Sequence, residues 1–213
     1  MTDIQPTQRR GRGRRPAAEV RDAVLKAAAG LLFDGGVAAV TFDKVAARAG
    51  SSKMTLYKWW PSPGVLALEA YFDGTEHQLS FPDTKDIEAG LLTQMTAFAR
   101  LMSDQGGGKV IAELAGAAQS DPALARALHD FYSGPRRQLA IDRLRRAQQA
   151  GQLRPGLDLA AVVDQLWGAC YHRILLFGEP IEPAMARALV TNLLHGITGH
   201  IDDPREPDGK KHQ

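Results

Sequence analysis

The segment Ser51–Trp60, SSKMTLYKWW, concentrates hydroxyl, cationic and aromatic side chains in one short stretch. Leu56 and Trp60 lie four positions apart, so on a helix they share one face, and we expect that face to anchor the segment to a core. The other side chains then lie outward or at the rim. Lysine donates to guanine acceptors or phosphates, thioether and methyl groups contact thymine methyls, and hydroxyls suit phosphates. This chemistry predicts a contact with double-stranded DNA. The candidate residues are Ser51, Ser52, Lys53, Met54, Thr55, Tyr57, Lys58 and Trp59.

The residues before this segment complete a helix-turn-helix pattern. Thr41 is a suitable N-cap for a helix that ends at about Ala49, and its hydroxyl also suits a phosphate. Val45 and Ala49 are expected to face inward. Gly50 then takes the turn, and one of the two serines that follow caps a second helix, which ends before Pro61. Two short helices joined at a glycine match the plan that places the second helix in the major groove.

Charge is distributed unevenly along the chain. Residues 1–60 hold eleven Lys and Arg against five Asp and Glu, a net charge of +6, whereas the remaining residues carry −4. A basic first part favours a polyanionic partner. The stretch RRGRGRR, with Arg12, Arg14 and Arg15, is thin enough to enter a minor groove or to follow the phosphate backbone. We expect this arm to be disordered in isolation, and a solvated tail is the alternative reading of it.

Helical periodicity covers the chain and strand patterns are almost missing, which predicts an all-α fold of about nine helices. Proline and serine signals place the first helix at 16–33 and the fourth at 62–77. Asp83 or Thr84 is expected to open the fifth helix, which then reaches about Ser103.

The second half of the chain shows similar boundary signals. Glycines 106–108 are expected to form a loop. The pair 121–122, Asp-Pro, starts a helix, and the pair 134–135, Gly-Pro, is expected to kink or split the long helix that follows. The last two helices are predicted at 158–177 and 183–200.

Several chemical classes lack support in the sequence. Cys170 is the single cysteine, so no intramolecular disulfide forms, and a reducing compartment is expected. Metal-binding, P-loop, nucleophile-elbow and dinucleotide patterns are missing, and we therefore predict no metal, no cofactor and no enzyme activity. No signal-peptide pattern and no long apolar run appear, which predicts a cytoplasmic protein with no membrane partner. The enzyme alternative would place Tyr132, His129 or Cys170 in a cavity.

The stretch VTFDKVAARAGSSKMTLYKWWPSPGVL, residues 40–66, resembles the DNA-binding signature of the TetR family of bacterial repressors. The resemblance implies nine helices, with an N-terminal helix-turn-helix DNA-binding domain and a C-terminal helical domain for ligand binding and dimerisation. It implies that Thr41 caps the second helix near a phosphate. The residues implied to face the groove are Lys53, Met54, Thr55 and Tyr57, and those implied to hold the DNA backbone are Tyr57, Lys58 and Trp59.

Two positions depart from the family pattern. Many members have a phosphate-binding lysine at the start of the fourth helix, where this chain has Pro63, and position 51 is commonly apolar but is Ser51 here. The arginine arm is our hypothesis for what compensates for the missing lysine. The domains expected from the resemblance are a disordered basic arm (1–15), a helix-turn-helix domain (16–62), a ligand-binding and dimerisation domain (63–201) and a flexible tail (202–213).

The C-terminal part resembles that of one TetR subgroup, from DPALARALHDF to LLFGEPIEP. Its last two helices are apolar on more than one face, which implies a second buried surface and predicts a homodimer through 158–177 and 183–200. A thicker monomer core is the alternative. Apolar residues of the middle helices are predicted to line a small-molecule effector site, with a plain core role as the alternative at each. They are Met95, Phe98, Met102, Phe131, Tyr132, Trp167 and Tyr171.

These expectations combine into one predicted function. The chain is expected to be a repressor that binds a palindromic DNA operator as a homodimer and is released by a small apolar effector. An orphan regulator without an effector and an architectural DNA-binding protein are the alternatives.

Overall fold

A computed structural model describes residues 15–73, 84–103 and 106–197 of the 213-residue chain. The described residues form ten α-helical segments and no strand. The segments are α1 (Ala17–Gly35), α2 (Phe42–Ala49), α3 (Lys53–Trp59), α4 (Pro63–Phe72), α5 (Ile87–Ser103), α6 (Gly107–Ala118), α7 (Pro122–Ala127), α8 (Gly134–Gln149), α9 (Leu159–His172) and α10 (Pro183–His195). Because α7 and α8 run on through a π-helical segment, the prediction of an all-α fold with about nine helices is confirmed.

Side-chain hydroxyls start three of the first four helices. Thr41, Ser52 and Ser62 each accept a hydrogen bond from the backbone N–H three residues later, at 3.2–3.3 Å. Such a cap satisfies one of the four N–H groups that a helix start leaves without an internal partner. The predicted caps at the start of α2, α3 and α4 are therefore confirmed, with Ser52 rather than Ser51 at α3.

The fifth helix begins later than predicted. Asp86 Oδ1 accepts hydrogen bonds from the N–H groups of Glu88 and Ala89, at 2.9 and 3.2 Å, and so acts as the cap. Thr84 instead donates its hydroxyl to the carbonyl of Asp86 at 2.6 Å and belongs to the preceding turn. Asp83, the other predicted cap, lies outside the described residues.

Two further boundaries were predicted wrongly. The three glycines do not all form a loop, because α6 already begins at Gly107 and only Gly106, with φ of 68°, precedes it. The last helix ends at His195 rather than near residue 200, because Gly196 follows with φ of 78°. The predicted C-terminal part of the fourth helix, beyond Asp73, lies outside the described residues, as do 1–14 and the tail 202–213.

Two π-helical segments interrupt the α-helical pattern. Leu128–Ser133 joins α7 to α8 just before Pro135, which has no N–H to donate to the carbonyl four residues earlier. The predicted kink at this point is thus a local widening of the helix. Arg173–Phe177 continues α9 to the predicted end of that helix and stops at Gly178, which has φ of 64°.

The chain divides into two compact units. Among the described residues, the first holds 15–73 and 110–135, and the second holds 84–103, 106–109 and 136–197. In the first unit α1 packs against α2 and α4, α2 packs against α3, and α4 packs against α7. In the second unit α10 packs against α5 and α9. The predicted functional boundary at residue 62 stays a prediction.

Candidate DNA-binding site

The helices α2 and α3 are joined by a tight turn at Gly50. This residue has φ of 62° and ψ of 37°, a left-handed conformation that glycine adopts without steric cost. A side chain at Gly50 would meet no atom within 4 Å, so backbone conformation rather than space requires the glycine. The N–H of Ser51 donates to the carbonyl of Ala46 at 3.0 Å and closes the end of α2.

One face of these two helices is anchored in the core of the first unit. Val45, Leu56 and Trp60 are buried, at 0%, 0% and 2% exposure, as predicted, and Ala49 is half-buried. Trp60 Nε1 donates to Glu69 Oε2 of α4 at 2.7 Å. Arg21 of α1 pairs with Glu69, and its guanidinium lies 5.1 Å from the centre of the Trp60 ring. The end of α3 is thereby attached to both α1 and α4.

The opposite face of α3 is open to solvent. Met54 is 77% exposed and Tyr57 is 62% exposed, and the two lie about one turn apart on the same short helix. The exposed residues of the predicted set are Ser52, Lys53, Met54, Tyr57 and Lys58, and the half-buried ones are Thr41, Ser51, Thr55 and Trp59. Thr41 lies at the start of α2, and the other residues lie on or just before α3, which packs against α2. Arg15 is exposed ahead of α1, whereas Arg12 and Arg14 lie outside the described residues.

Aromatic contacts fix the side of α3 that adjoins α2. The rings of Phe42 and Tyr57 meet edge-on, with centroids 4.7 Å apart. Because Phe42 is buried, this contact holds the exposed Tyr57 ring against a fixed neighbour. On the other side, Trp59 and Trp60 meet edge-on at 5.6 Å. A side chain that is already ordered loses less conformational entropy when it binds a partner. The contact with Phe42 therefore favours Tyr57 as a contact residue for DNA.

The four cationic side chains of α2 and α3 fall into two groups. Lys53 forms an ion pair with Asp43, and Arg48 lies 3.4 Å from Asp34. Lys44 and Lys58 are exposed and have no carboxylate partner among the described residues. Exposed cations without a carboxylate partner are suited to phosphate contacts. Lys44 was not among the predicted site residues, although its position in the first turn after the Thr41 cap could have indicated it.

Two carboxylates from residues 110–135 bind backbone or side-chain groups at the helix starts. Glu113 Oε2 accepts from the N–H of Val37, at 2.7 Å, in the short 3₁₀ turn that leads into α2. Asp121 accepts from the Ser62 hydroxyl at 2.6 Å, and Ser62 caps α4. Asp121 also caps α7, as predicted, through the N–H groups of Ala123 and Leu124. No local sequence pattern indicates these long-range partners.

The hydrogen bond from Ser62 holds the pKa of Asp121 below its usual value. A carboxyl group with a depressed folded-state pKa stabilises the fold above its unfolded pKa, and this contribution is lost as pH falls through the folded value. The substitution Asp121→Asn preserves the helix cap but removes the titrating carboxyl group. We therefore expect the variant to lose less unfolding free energy than the wild-type protein when the pH falls below about 4. Urea midpoints at pH 7 and pH 3 measure this difference.

A matched control for that variant is Asp158→Asn at the cap of α9. Asp158 receives the same pair of backbone hydrogen bonds, at 3.0 and 3.1 Å, without a serine donor. Its substitution is expected to change the acid dependence less than Asp121→Asn does. Equal changes in the two variants would show that the Ser62 contact does not set the effect.

The predicted effector residues divide between the two units. Met95, Phe98 and Met102 are buried along α5, and Phe98 meets the half-buried Tyr171 ring edge-on at 5.7 Å. Trp167 is half-buried on α9. In the first unit, Tyr132 is buried and stacks on Phe72, with centroids 4.5 Å apart, whereas Phe131 is 73% exposed. The effector-binding role of these residues stays a prediction.

A separate open cleft of about 1090 Å³ lies in the second unit. It is bounded by the start of α5, the end of α8 and parts of α9 and α10, and none of the predicted effector residues lines it. His195 Nε2 and Glu88 Oε1 meet in this region at 3.2 Å. Its walls mix leucines with charged groups and do not indicate one ligand class.

The residues of the enzyme alternative belong to different units, with His129 and Tyr132 in the first and Cys170 in the second. Burial raises the pKa of the Cys170 thiol to about 12, so the thiol stays protonated at neutral pH and is a poor nucleophile. His129 is exposed. Within the described ranges, no group of three His, Cys, Asp or Glu side chains could hold a metal ion. No described helix is long and apolar enough to cross a membrane.

Comparisons with known proteins agree with this geometry. Residues 24–70 match the family model described as bacterial regulatory proteins, tetR family, and residues 81–193 match the one described as tetracyclin repressor-like, C-terminal domain. The uncharacterized HTH-type transcriptional regulator YdeS of Bacillus subtilis is 35% identical over 186 residues, which cover 87% of this chain and 93% of that protein. The HTH-type regulator AqdR of Rhodococcus erythropolis is 25% identical over 92% of this chain and 93% of its own.

Solved structures show the same relationship. The TetR family transcription regulator SCO0332 is 52% identical and superposes with a TM-score of 0.75, over 85% of this chain and all of that one. The Bacillus subtilis regulator FadR, crystallised with stearoyl-CoA, is only 16% identical, with a TM-score of 0.63 over 83% of this chain and 99% of its own, and shares the fold. The helix-turn-helix with its exposed α3 face, the two family matches and these relatives lead to one conclusion: the chain belongs to the TetR family of DNA-binding transcriptional regulators.

Proposed function

We propose that this regulator is a repressor that binds an inverted-repeat operator as a homodimer and leaves it when a small apolar effector binds. The observation that carries the proposal is the outer face of α3, where Met54 and Tyr57 are 77% and 62% exposed. Lys58 follows Tyr57 on α3, Lys44 lies in the first turn of α2, and both are exposed with no carboxylate partner among the described residues. Exposed apolar side chains suit contacts with base edges, and cations without a carboxylate partner suit phosphates. We therefore assign base contacts to Met54 and Tyr57 and phosphate contacts to Lys44 and Lys58.

The homodimer is proposed from the uncovered apolar surface of the last helices. Ala186 and Val190 of α10 are fully buried inside the second unit, whereas Leu193 and Leu194 on the same helix are only half-buried. The segment that ends α9 exposes 71% of Leu176. A two-fold pairing of such surfaces is the commonest way to cover them, and it would present two copies of α3 to one inverted repeat.

The effector is proposed to bind among the apolar residues of α5 and α9. Met95, Phe98 and Met102 form one buried row, with Trp167 and Tyr171 on α9. Gln94, which is 5% exposed, is a buried polar side chain on the same helix. Apolar walls with a few polar groups are typical of small-molecule sites.

A route from effector to DNA is proposed through residues 110–135. Glu113 holds the turn before α2 and Asp121 holds the cap of α4, at 2.7 and 2.6 Å respectively. A displacement of this segment would act on the starts of both helices. To move the regulator from almost fully bound to almost fully released, the effector needs a preference of about 5.5 kcal/mol for the released state.

The test is a selection of genome fragments with the purified protein, followed by footprinting. The proposal expects one short protected inverted repeat that overlaps a promoter, with one dimer per repeat. Diffuse and unsaturable protection would contradict it. A sharp footprint without two-fold symmetry would keep the regulator and reject the homodimer.

A further inference from the structure

One acidic side chain stands on the surface that faces DNA in the proposed function. Asp43, in the first turn of α2, forms an ion pair with Lys53 at the start of α3, and the two side chains are 68% and 57% exposed. The neighbouring contact between Phe42 and Tyr57 places the first turn of α2 beside this side of α3. Asp43 and Lys53 therefore adjoin the exposed ring of Tyr57.

A carboxylate at this place is unfavourable for DNA binding in general. Phosphates repel it, and it neutralises a lysine that would otherwise contribute to binding of any sequence. In the first turn of α2 a carboxylate stabilises the helix, but within the DNA interface it is favourable only where the DNA offers a hydrogen-bond donor. In the major groove those donors are the amino groups of cytosine and adenine, and a carboxylate pairs with cytosine N4.

We propose that Asp43 and Lys53 act together as a recognition pair for a G·C base pair. Lys53 donates to O6 or N7 of guanine, and Asp43 accepts from the N4 amino group of cytosine. Opposite thymine O4 or guanine O6, the carboxylate would meet another acceptor, so base pairs that place these groups there are disfavoured. The adenine amino group can also donate to Asp43, so the preference for G·C over A·T comes from Lys53, because guanine offers two acceptors and adenine only N7. Because the pair is close to neutral, it contributes to sequence discrimination more than to overall affinity.

The inference rests on the proposed function, since it requires a specific operator. Its test is sequence selection from a randomised DNA library with the wild-type protein, Asp43→Ala and Asp34→Ala. Asp34 is the matched control, because it is 72% exposed, lies in the same unit and pairs with Arg48 instead. Circular dichroism confirms that each variant keeps its helices.

The wild-type protein is expected to select an inverted repeat with an invariant G·C pair in each half-site. Asp43→Ala is expected to lose about tenfold discrimination at that pair alone, with unchanged or higher affinity for random DNA. Asp34→Ala should keep the complete motif. An Asp43→Ala motif identical to the wild-type motif would overturn the recognition pair and leave the proposed function intact. The absence of any motif with the wild-type protein would overturn both.

Discussion

Replacing Leu56 with alanine is expected to lower the free energy of unfolding of the first unit by about 2–5 kcal/mol. Leu56 is fully buried and is the central anchor of α3, which is only seven residues long. So short a helix has little stability of its own and depends on tertiary packing. We therefore expect the variant to lose sequence-specific DNA binding as well. Denaturant unfolding followed by tryptophan fluorescence measures the first effect, because Trp59 and Trp60 lie at the end of α3.

The control for this variant is the same substitution at Leu139 of α8, which is 57% exposed. An exposed leucine leaves no cavity when truncated, so its change in stability should stay within about 0.5 kcal/mol. An unchanged unfolding midpoint for Leu56→Ala, together with unchanged DNA binding, would contradict the role of Leu56 as the anchor of α3.

The double substitution Lys44→Ala and Lys58→Ala is expected to weaken operator binding about 10–100-fold near 0.1 M salt. Each unpaired lysine that contacts a phosphate releases condensed counterions when it binds. The slope of log affinity against log salt concentration should therefore become shallower by about two. Base preferences should remain, since phosphates carry no sequence information. Fluorescence anisotropy over a salt series, with the selected operator and a scrambled one, measures both quantities.

Two exposed arginines of the second unit provide a charge-matched control. Arg100→Ala and Arg146→Ala together remove the same net charge from α5 and α8. This control should change the salt slope much less than the lysine pair does. Equal changes in slope from the two double variants would mean that overall charge, and not contact at Lys44 and Lys58, sets the salt dependence.

The parts of the fold that were predictable from sequence are those with local causes. A hydroxyl or carboxylate cap acts within three residues of its own position, so Thr41, Ser62 and Asp121 could be identified as helix starts. The α3 face was also predictable, because the spacing of Leu56 and Trp60 fixes which side is buried and leaves Met54 outside.

The features that sequence could not supply depend on competition or on long-range contacts. Asp86 rather than Thr84 caps α5, because its carboxylate accepts from the N–H groups of Glu88 and Ala89 while the Thr84 hydroxyl donates to a carbonyl. The bond from Val37 to Glu113 joins residues 76 positions apart, and no local pattern indicates it. The ion pair of Asp43 with Lys53 likewise required the angle between α2 and α3.

The central claim is that the exposed face of α3 enters the major groove of each operator half-site. Site-directed crosslinking tests it with a Met54→Cys variant that carries a thiol-directed photoreactive group. The native Cys170 is buried and its pKa is raised to about 12, so the label should attach to position 54 alone. Gln149→Cys, at the exposed end of α8, is the control. We predict crosslinks from position 54 to bases at two symmetric positions, about one or two helical turns of DNA apart, and none from position 149. Crosslinks that are scattered along the DNA, or equal for the two positions, would contradict the claim.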